Sequence, residues 1–263
     1  MKHLKTLIFI LILSLPAFAQ NIISKQVKAQ EVLEKVIKAV NKRKIDIAGL
    51  SMLSSKQFTS LSDTEGNVEI KLEFSAPDKF FYDAYEHYTT NDAKSKIIIN
   101  GENVFAEISA FTGDHWQDFT QSSSKEDNLK TVKDAAFECL FPVSFQTSWF
   151  YPFDFSYVGV AESKDGRANV IEATSSNKRT YRLLFDEKTN LLLLMIKTWI
   201  NTENQPRERK YFYSDYKEMD GLYVATTTKV EDNGKLAEVR AIKSLKVNPT
   251  FKANYFEIKK PLK

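Results

Sequence analysis

Histidine and carboxylate side chains are the first candidates for acid–base chemistry in this sequence. Beyond residue 20 the histidines are His87 and His115, and Asp114 lies beside His115. Successive side chains of a β-strand point to opposite faces, so sequence neighbours on a strand make a poor catalytic pair. Asp114 also fits the turn Thr112-Gly113-Asp114. We therefore predict that neither histidine is catalytic.

Motifs of other enzyme classes are absent from the sequence. It contains no Gly-x-Ser-x-Gly, phosphate loop, His-Glu-x-x-His or dinucleotide fingerprint. Cys139 is the only cysteine, which excludes an intramolecular disulfide and a zinc site of several cysteines, and its apolar surroundings predict a buried, inert thiol. Carboxylates such as Glu69 and Glu73 alternate with apolar residues, as on a solvated sheet face. We predict no enzyme activity, no cofactor and no metal site.

Aromatic residues are the side chains best suited to binding. Nine lie between residues 137 and 157: Phe137, Phe141, Phe145, Trp149, Phe150, Tyr151, Phe153, Phe155 and Tyr157. Those at intervals of four, which would line one side of a helix, are Phe137, Phe141, Phe145 and Trp149. Pro142 must bend or restart that helix. The sequence leaves two structures open: a helix packed on a filled core, or a lid over an apolar cavity.

The elements that would position these aromatics are mostly strands. Apolar and polar residues alternate at 68–74, and Asn100-Gly101 marks a tight hairpin. Similar patterns predict about eleven strands in an antiparallel meander, in two blocks on either side of a helix from Lys125 to about Leu140. A second amphipathic helix is predicted at 24–42, followed by a connector at 45–53. We expect one curved sheet, and a C-terminal tail on its surface.

The N-terminus has the three parts of a secretory signal peptide. Lys2 and Lys5 precede an apolar run, Leu7–Leu15, and Ala17-Phe18-Ala19 is a cleavage site. This run is too short for a membrane-spanning helix, which needs about 20 residues. We predict a signal peptide at 1–19 and a single mature domain at 20–263, with no cysteine for lipid anchoring at the new terminus. The mature chain has 35 basic and 34 acidic groups, which argues against nucleic-acid binding.

Several short motifs, in this order, resemble those of the lipoprotein carrier superfamily, which includes LolA, LolB and the outer membrane lipoprotein-sorting proteins. The matching segments are Phe74-Ser75-Ala76-Pro77-Asp78-Lys79-Phe80, Ile97–Gly101 with Val104, Leu184–Leu192, and Phe212–Leu222. The resemblance implies a mainly β fold, an unclosed antiparallel β-barrel of a similar strand number, whose helices cover a concave apolar face. Phe81 stands where the family often has an arginine, so that residue cannot supply a polar latch for the lid.

The resemblance implies a soluble periplasmic, non-enzymatic carrier that binds lipid or lipoprotein acyl chains in a hydrophobic cavity. We expect a monomer, with an envelope membrane as a further partner. The expected ligand-contacting residues are Phe137, Phe141, Phe145, Trp149, Phe74, Phe80 and Trp116. The alternatives are a secreted structural or interaction domain of the cell envelope with a filled core, and a hydrolase whose site is not recognised.

Overall fold

Thirteen antiparallel strands form one continuous sheet in the part of the chain that the computed structural model describes. The structure describes residues 23–58, 66–88, 92–112, 115–118, 125–145, 153–164, 166–175, 179–201 and 203–258. The strands are β1 Gly49–Phe58, β2 Gly66–Ser75, β3 Lys79–Tyr88, β4 Asp92–Asn100, β5 Asn103–Thr112, β6 His115–Asp118, β7 Phe153–Ser163, β8 Gly166–Ser175, β9 Thr180–Asp186, β10 Leu192–Ile200, β11 Pro206–Met219, β12 Leu222–Asp232 and β13 Lys235–Val247.

The two blocks of strands join in the middle of the sheet. The spatial order is β6-β5-β4-β3-β2-β1-β13-β12-β11-β10-β9-β8-β7, so β6 and β7 are the edges and, within the described residues, the sheet does not close. The predicted unclosed antiparallel architecture is confirmed, with 13 strands instead of about eleven. The prediction of a connector at 45–53 is wrong for its second half, because Gly49 to Leu53 belong to β1 and pair with β13.

Two helices cover one face of the sheet, which we call the inner face. Helix α1 spans residues 23–40 and buries an apolar stripe at helical spacing. Helix α2, Lys125–Ser144, contains Pro142 and ends one turn later than predicted. The chain leaves α2 through Phe145, whose φ is +53° and whose N–H donates to the Phe141 carbonyl at 2.7 Å. In the described ranges, no helix is both long and apolar enough to cross a bilayer.

The C-terminal tail covers part of the opposite, outer face. Phe256 packs with Phe81 and Ile98 there. Under this cover Glu73 is only 6 % exposed and accepts hydrogen bonds from Ser51 Oγ (3.1 Å) and the Tyr255 hydroxyl. The prediction that Glu73 lies on a solvated face is therefore wrong, because the tail removes that part of the outer face from water.

Candidate ligand site on the inner face

Three of the predicted site aromatics lie on the side of α2 that packs against β8–β11 and α1. Phe137, Phe141 and Phe145 are 5 %, 1 % and 2 % exposed. Their rings contact in sequence, with centroids 4.8 Å apart for Phe137 and Phe141 and 5.2 Å apart for Phe141 and Phe145. Phe145 also meets Phe185 of β9, at 5.9 Å. In this conformation the three rings are fully packed.

Two more predicted residues lie in a neighbouring cluster under α2. Phe74 and Phe80 are direct cross-strand partners on β2 and β3, and they share this cluster with Leu140 and Val143 of the helix. The structure does not bring Trp116 to them. Trp116 lies on the edge strand β6, 40 % exposed, with its ring against Phe111. Trp149 lies outside the described residues.

A cavity of about 70 Å³ lies between α2 and the middle of the sheet. Its walls come from β1, β2, β11, β12, β13 and α2, and they are Met52, Ser54, Ile70, Leu72, Glu138, Cys139, Pro142, Val143, Tyr211, Tyr213, Ala225, Thr228, Arg240, Ala241 and Ile242. None of the six predicted site residues that the structure describes is among them. Pockets for drug-sized ligands are typically about 300–1,000 Å³. Beneath α2 the inner face is thus nearly filled, and the cavity there is a small space with both apolar and polar walls.

Polar side chains form a row across this part of the sheet. Tyr213, Thr228, Arg240 and Lys56 are directly opposite one another on β11, β12, β13 and β1. Directly opposed residues share a face, so all of them belong to the inner face. Buried apolar residues flank the row, so most of these polar groups depend on protein partners rather than on water.

Glu238 is the counter-charge for two cations of the row. Its side chain is 6 % exposed, and its carboxylate accepts from Arg240 Nε at 2.7 Å and from Arg240 Nη2. Lys56 Nζ lies 2.5 Å from its other oxygen. Burial, and after it the nearby Arg240 charge, lowers the pKa of Lys56 to about 8. The site therefore has two cations sharing one carboxylate.

Tyr213 carries the unsatisfied group of the row. Its side chain is 8 % exposed, and within the described residues its hydroxyl has no hydrogen-bond partner. Burial raises its pKa well above the ordinary tyrosine value, so the hydroxyl stays protonated. A buried O–H donor therefore lines the cavity beside Thr228 and Arg240.

Glu138 of α2 makes polar contacts with three strands of the sheet. Its side chain is 9 % exposed, forms an ion pair with Lys197 of β10, and accepts hydrogen bonds from the hydroxyls of Tyr211 and, at 3.4 Å, Tyr181. Burial and the Glu138 charge raise the pKa of both tyrosines, so both remain donors. These polar contacts hold α2 on the sheet, although residue 81 is a phenylalanine and not an arginine. Sequence reasoning missed them, although Glu138 is a lone charge in the apolar segment 135–143.

The remaining candidates for chemistry are His87, on the sheet surface, and Cys139, in the cavity wall. His87 Nδ1 is 2.5 Å from Asp92 Oδ1, and Asp92 also accepts from the Tyr85 hydroxyl at 2.6 Å, but His87 is 71 % exposed on the sheet surface. Burial raises the pKa of the Cys139 thiol, which favours the unreactive protonated form. Among the described residues no group of three or more histidine, cysteine, aspartate or glutamate side chains could hold a metal ion.

Solved structures share this fold. The crystal structure of a LolA superfamily protein from Nitrosomonas europaea is 9% identical, with 86% of this chain and 96% of that chain covered and a TM-score of 0.52. A DUF1329 family protein from Desulfovibrio piger is 12% identical, with 87% and 97% covered and a TM-score of 0.50. A putative outer membrane lipoprotein-sorting protein domain from Vibrio parahaemolyticus is 9% identical over 87% and 97%, with a TM-score of 0.49.

The first two of these structures confirm the fold expected from the sequence motifs. At such low identity they show the fold alone. No protein-family model matches the sequence, and a comparison with curated protein sequences finds no significant match.

Proposed function

We propose that the protein is an exported, non-enzymatic carrier that binds lipid or lipoprotein acyl chains between α2 and the inner face. The observation that carries this proposal is the open sheet, whose inner face is covered by two helices with a partly apolar cavity beneath one of them. The shared fold of the LolA superfamily protein supports it. The predicted signal peptide and the absence of catalytic motifs from the sequence agree with a periplasmic carrier.

Binding an acyl chain requires α2 to separate from part of the sheet, because its apolar residues fill the inner face in this conformation. Burying a methylene contributes about 0.8 kcal/mol, so about twelve would contribute roughly 10 kcal/mol before the costs of ordering. The buried contacts of Phe137 and Phe141 with the strands, and the polar contacts of Glu138, oppose that gain. The chain would therefore replace contacts of α2 rather than enter an empty pocket. In this proposal Phe74, Phe80 and the three α2 phenylalanines are the groups that meet the ligand.

A second candidate is an interaction domain of the cell envelope with a permanently filled core. The observation that favours it is the close packing of the α2 phenylalanines, none of which is more than 5 % exposed, beside a cavity of only about 70 Å³. In that case α2 would be a structural helix, and the protein would act through its outer surface.

Lipid content distinguishes the two candidates. The full chain is expressed with its own N-terminus in a Gram-negative host, and the periplasmic fraction is purified and measured by native mass spectrometry with lipid extraction. A carrier yields a population with bound lipid, and the purified protein takes up a fluorescent long-chain acyl probe. The filled-core domain yields only the apo mass and takes up no probe.

Two matched variants locate the binding. Phe141→Leu changes a ring that is 1 % exposed under α2, and Phe256→Leu changes one that is 5 % exposed on the outer face. Each leaves a cavity of similar size, so similar losses of stability are expected. The carrier proposal requires probe affinity to change in Phe141→Leu and to remain in Phe256→Leu. Equal effects of the two variants would contradict binding beneath α2.

A further inference from the structure

We propose that the cavity beneath α2 is a head-group site for a single-chain anionic amphiphile of the fatty-acid class, whose carboxylate binds to Arg240 and to the Tyr213 hydroxyl. This inference rests on the proposed carrier function and specifies its ligand. It follows from three features of the cavity: an unsatisfied donor, an arginine that shares its counter-charge with a lysine, and walls that include both polar and apolar side chains.

The unsatisfied donor is the Tyr213 hydroxyl. It lines the cavity, is buried, and has no acceptor among the described residues. A buried donor without a partner destabilises the folded protein, so an acceptor brought by a ligand gains more there than at a solvated hydroxyl. Arg240 lies in the same row and donates to Glu238 through Nε and Nη2. Because a guanidinium has five N–H donors, its Nη1 edge can still bind a second carboxylate.

The ion pairs beside the cavity give Arg240 only a shared counter-charge. Glu138 is paired with Lys197, whereas Glu238 is shared between Arg240 and Lys56. The next carboxylate along the row, Glu86, faces Lys56 across Val68, and its charge acts on the lysine from outside the cavity walls. Arg209, on the neighbouring strand, is balanced by Asp232. A ligand carboxylate in the cavity would give Arg240 a counter-charge that it does not share with Lys56.

The apolar walls indicate the rest of the ligand. Met52, Leu72 and Ile242, which lie at other positions along their strands than the row, and Val143 of α2 are among the apolar walls of the cavity. Met52, Leu72 and Val143 belong to the cluster that contains Phe74 and Phe80, so a chain leaving the carboxylate would continue under α2 along this cluster. A volume of about 70 Å³ suits one head group with the start of one chain, not a two-chain lipid. A long-chain fatty acid combines these properties.

The test compares palmitate with hexadecan-1-ol, which has the same chain and no charge, in displacing a fluorescent fatty-acid probe from the purified full chain. We expect palmitate to bind at least tenfold more tightly, a difference of about 1.4 kcal/mol. Tyr213→Phe should remove severalfold of that preference. Its melting temperature should stay the same or rise, because the hydroxyl that it removes has no protein acceptor.

Tyr216→Phe is the matched control. The Tyr216 hydroxyl donates to the Leu192 carbonyl at 2.6 Å, outside the cavity. That variant should lower the melting temperature and leave the preference for palmitate unchanged. Equal affinity for palmitate and hexadecan-1-ol, or a preference that Tyr213→Phe leaves intact, would overturn the head-group site and leave the carrier function standing. Failure of both compounds and of the probe to bind the wild type would overturn the carrier function itself.

Discussion

Replacing Glu138 by glutamine should destabilise the protein by about 3 kcal/mol. Removing one partner of a buried ion pair typically costs about 3–5 kcal/mol, because the other charge is left without compensation. Here that charge is on Lys197, whose side chain is 17 % exposed. Glutamine keeps the size of the side chain and can still accept from Tyr211. Because the lysine is flexible and can turn partly toward water, we expect the lower end of the range.

A double-mutant cycle separates the ion pair from the tyrosine hydrogen bonds. Lys197→Met removes the cation and leaves Glu138 with its two tyrosine donors. In the double variant Glu138→Gln/Lys197→Met no unpaired charge remains, so it should lose less stability than the two single variants together. A coupling free energy of about 1–3 kcal/mol is expected for groups in direct contact.

Urea unfolding followed by circular dichroism measures each free energy of unfolding, with the slope checked for two-state behaviour. Glu218→Gln provides the control, since Glu218 pairs with Arg43 but both side chains are more than half exposed. Such exposed pairs contribute about 0–1 kcal/mol. If Glu138→Gln costs no more than this control, or if the cycle shows no coupling, then Glu138 does not hold α2 on the sheet.

Three further outcomes are expected. Lys56 has a pKa of about 8 when folded and an ordinary value of 10.5, so the folded protein loses this proton first. The free energy of unfolding of the wild type should therefore rise by about 3 kcal/mol relative to that of Lys56→Met as the pH increases from 8 to 10.5. Parallel curves of unfolding free energy against pH for the two proteins would contradict this. Gly221→Ala should lower the melting temperature more than Gly234→Ala. Both glycines have positive φ, but of the two only Gly221 would bring an added Cβ against another atom, Ile45 Cδ1 at 2.6 Å. Equal decreases in melting temperature would contradict that contact. N-terminal sequencing of the exported protein should begin at Gln20, and a retained residue 1 would contradict export.

The pattern of the sequence predicted most strands because local and tertiary preferences agree in them. In β2, Val68, Leu72 and Phe74 are buried and Glu69 is exposed, as period-two alternation requires. Asn100-Gly101 forms the predicted hairpin, with a positive φ at the glycine.

The start of β1 was missed because Leu53, on its outer face, is apolar and 38 % exposed, which breaks the alternation. Its pairing with β13, almost 200 residues later, is a tertiary contact that no local pattern contains.

The polar row was missed for a different reason. In a strand, a polar residue is normally assigned to the wet face, but the phase of its apolar neighbours decides the face. In β1, Lys56 is in phase with Leu50 and Met52, both buried in the cluster beneath α2. In β13, Arg240 is likewise in phase with Ile242, which lines the cavity. A cation in phase with the apolar positions of its strand must lie inside, and it then needs a buried acceptor. Two such cations in strands that pair with each other imply a shared acceptor between them, and in this protein it is Glu238, in phase with Arg240 and two residues before it.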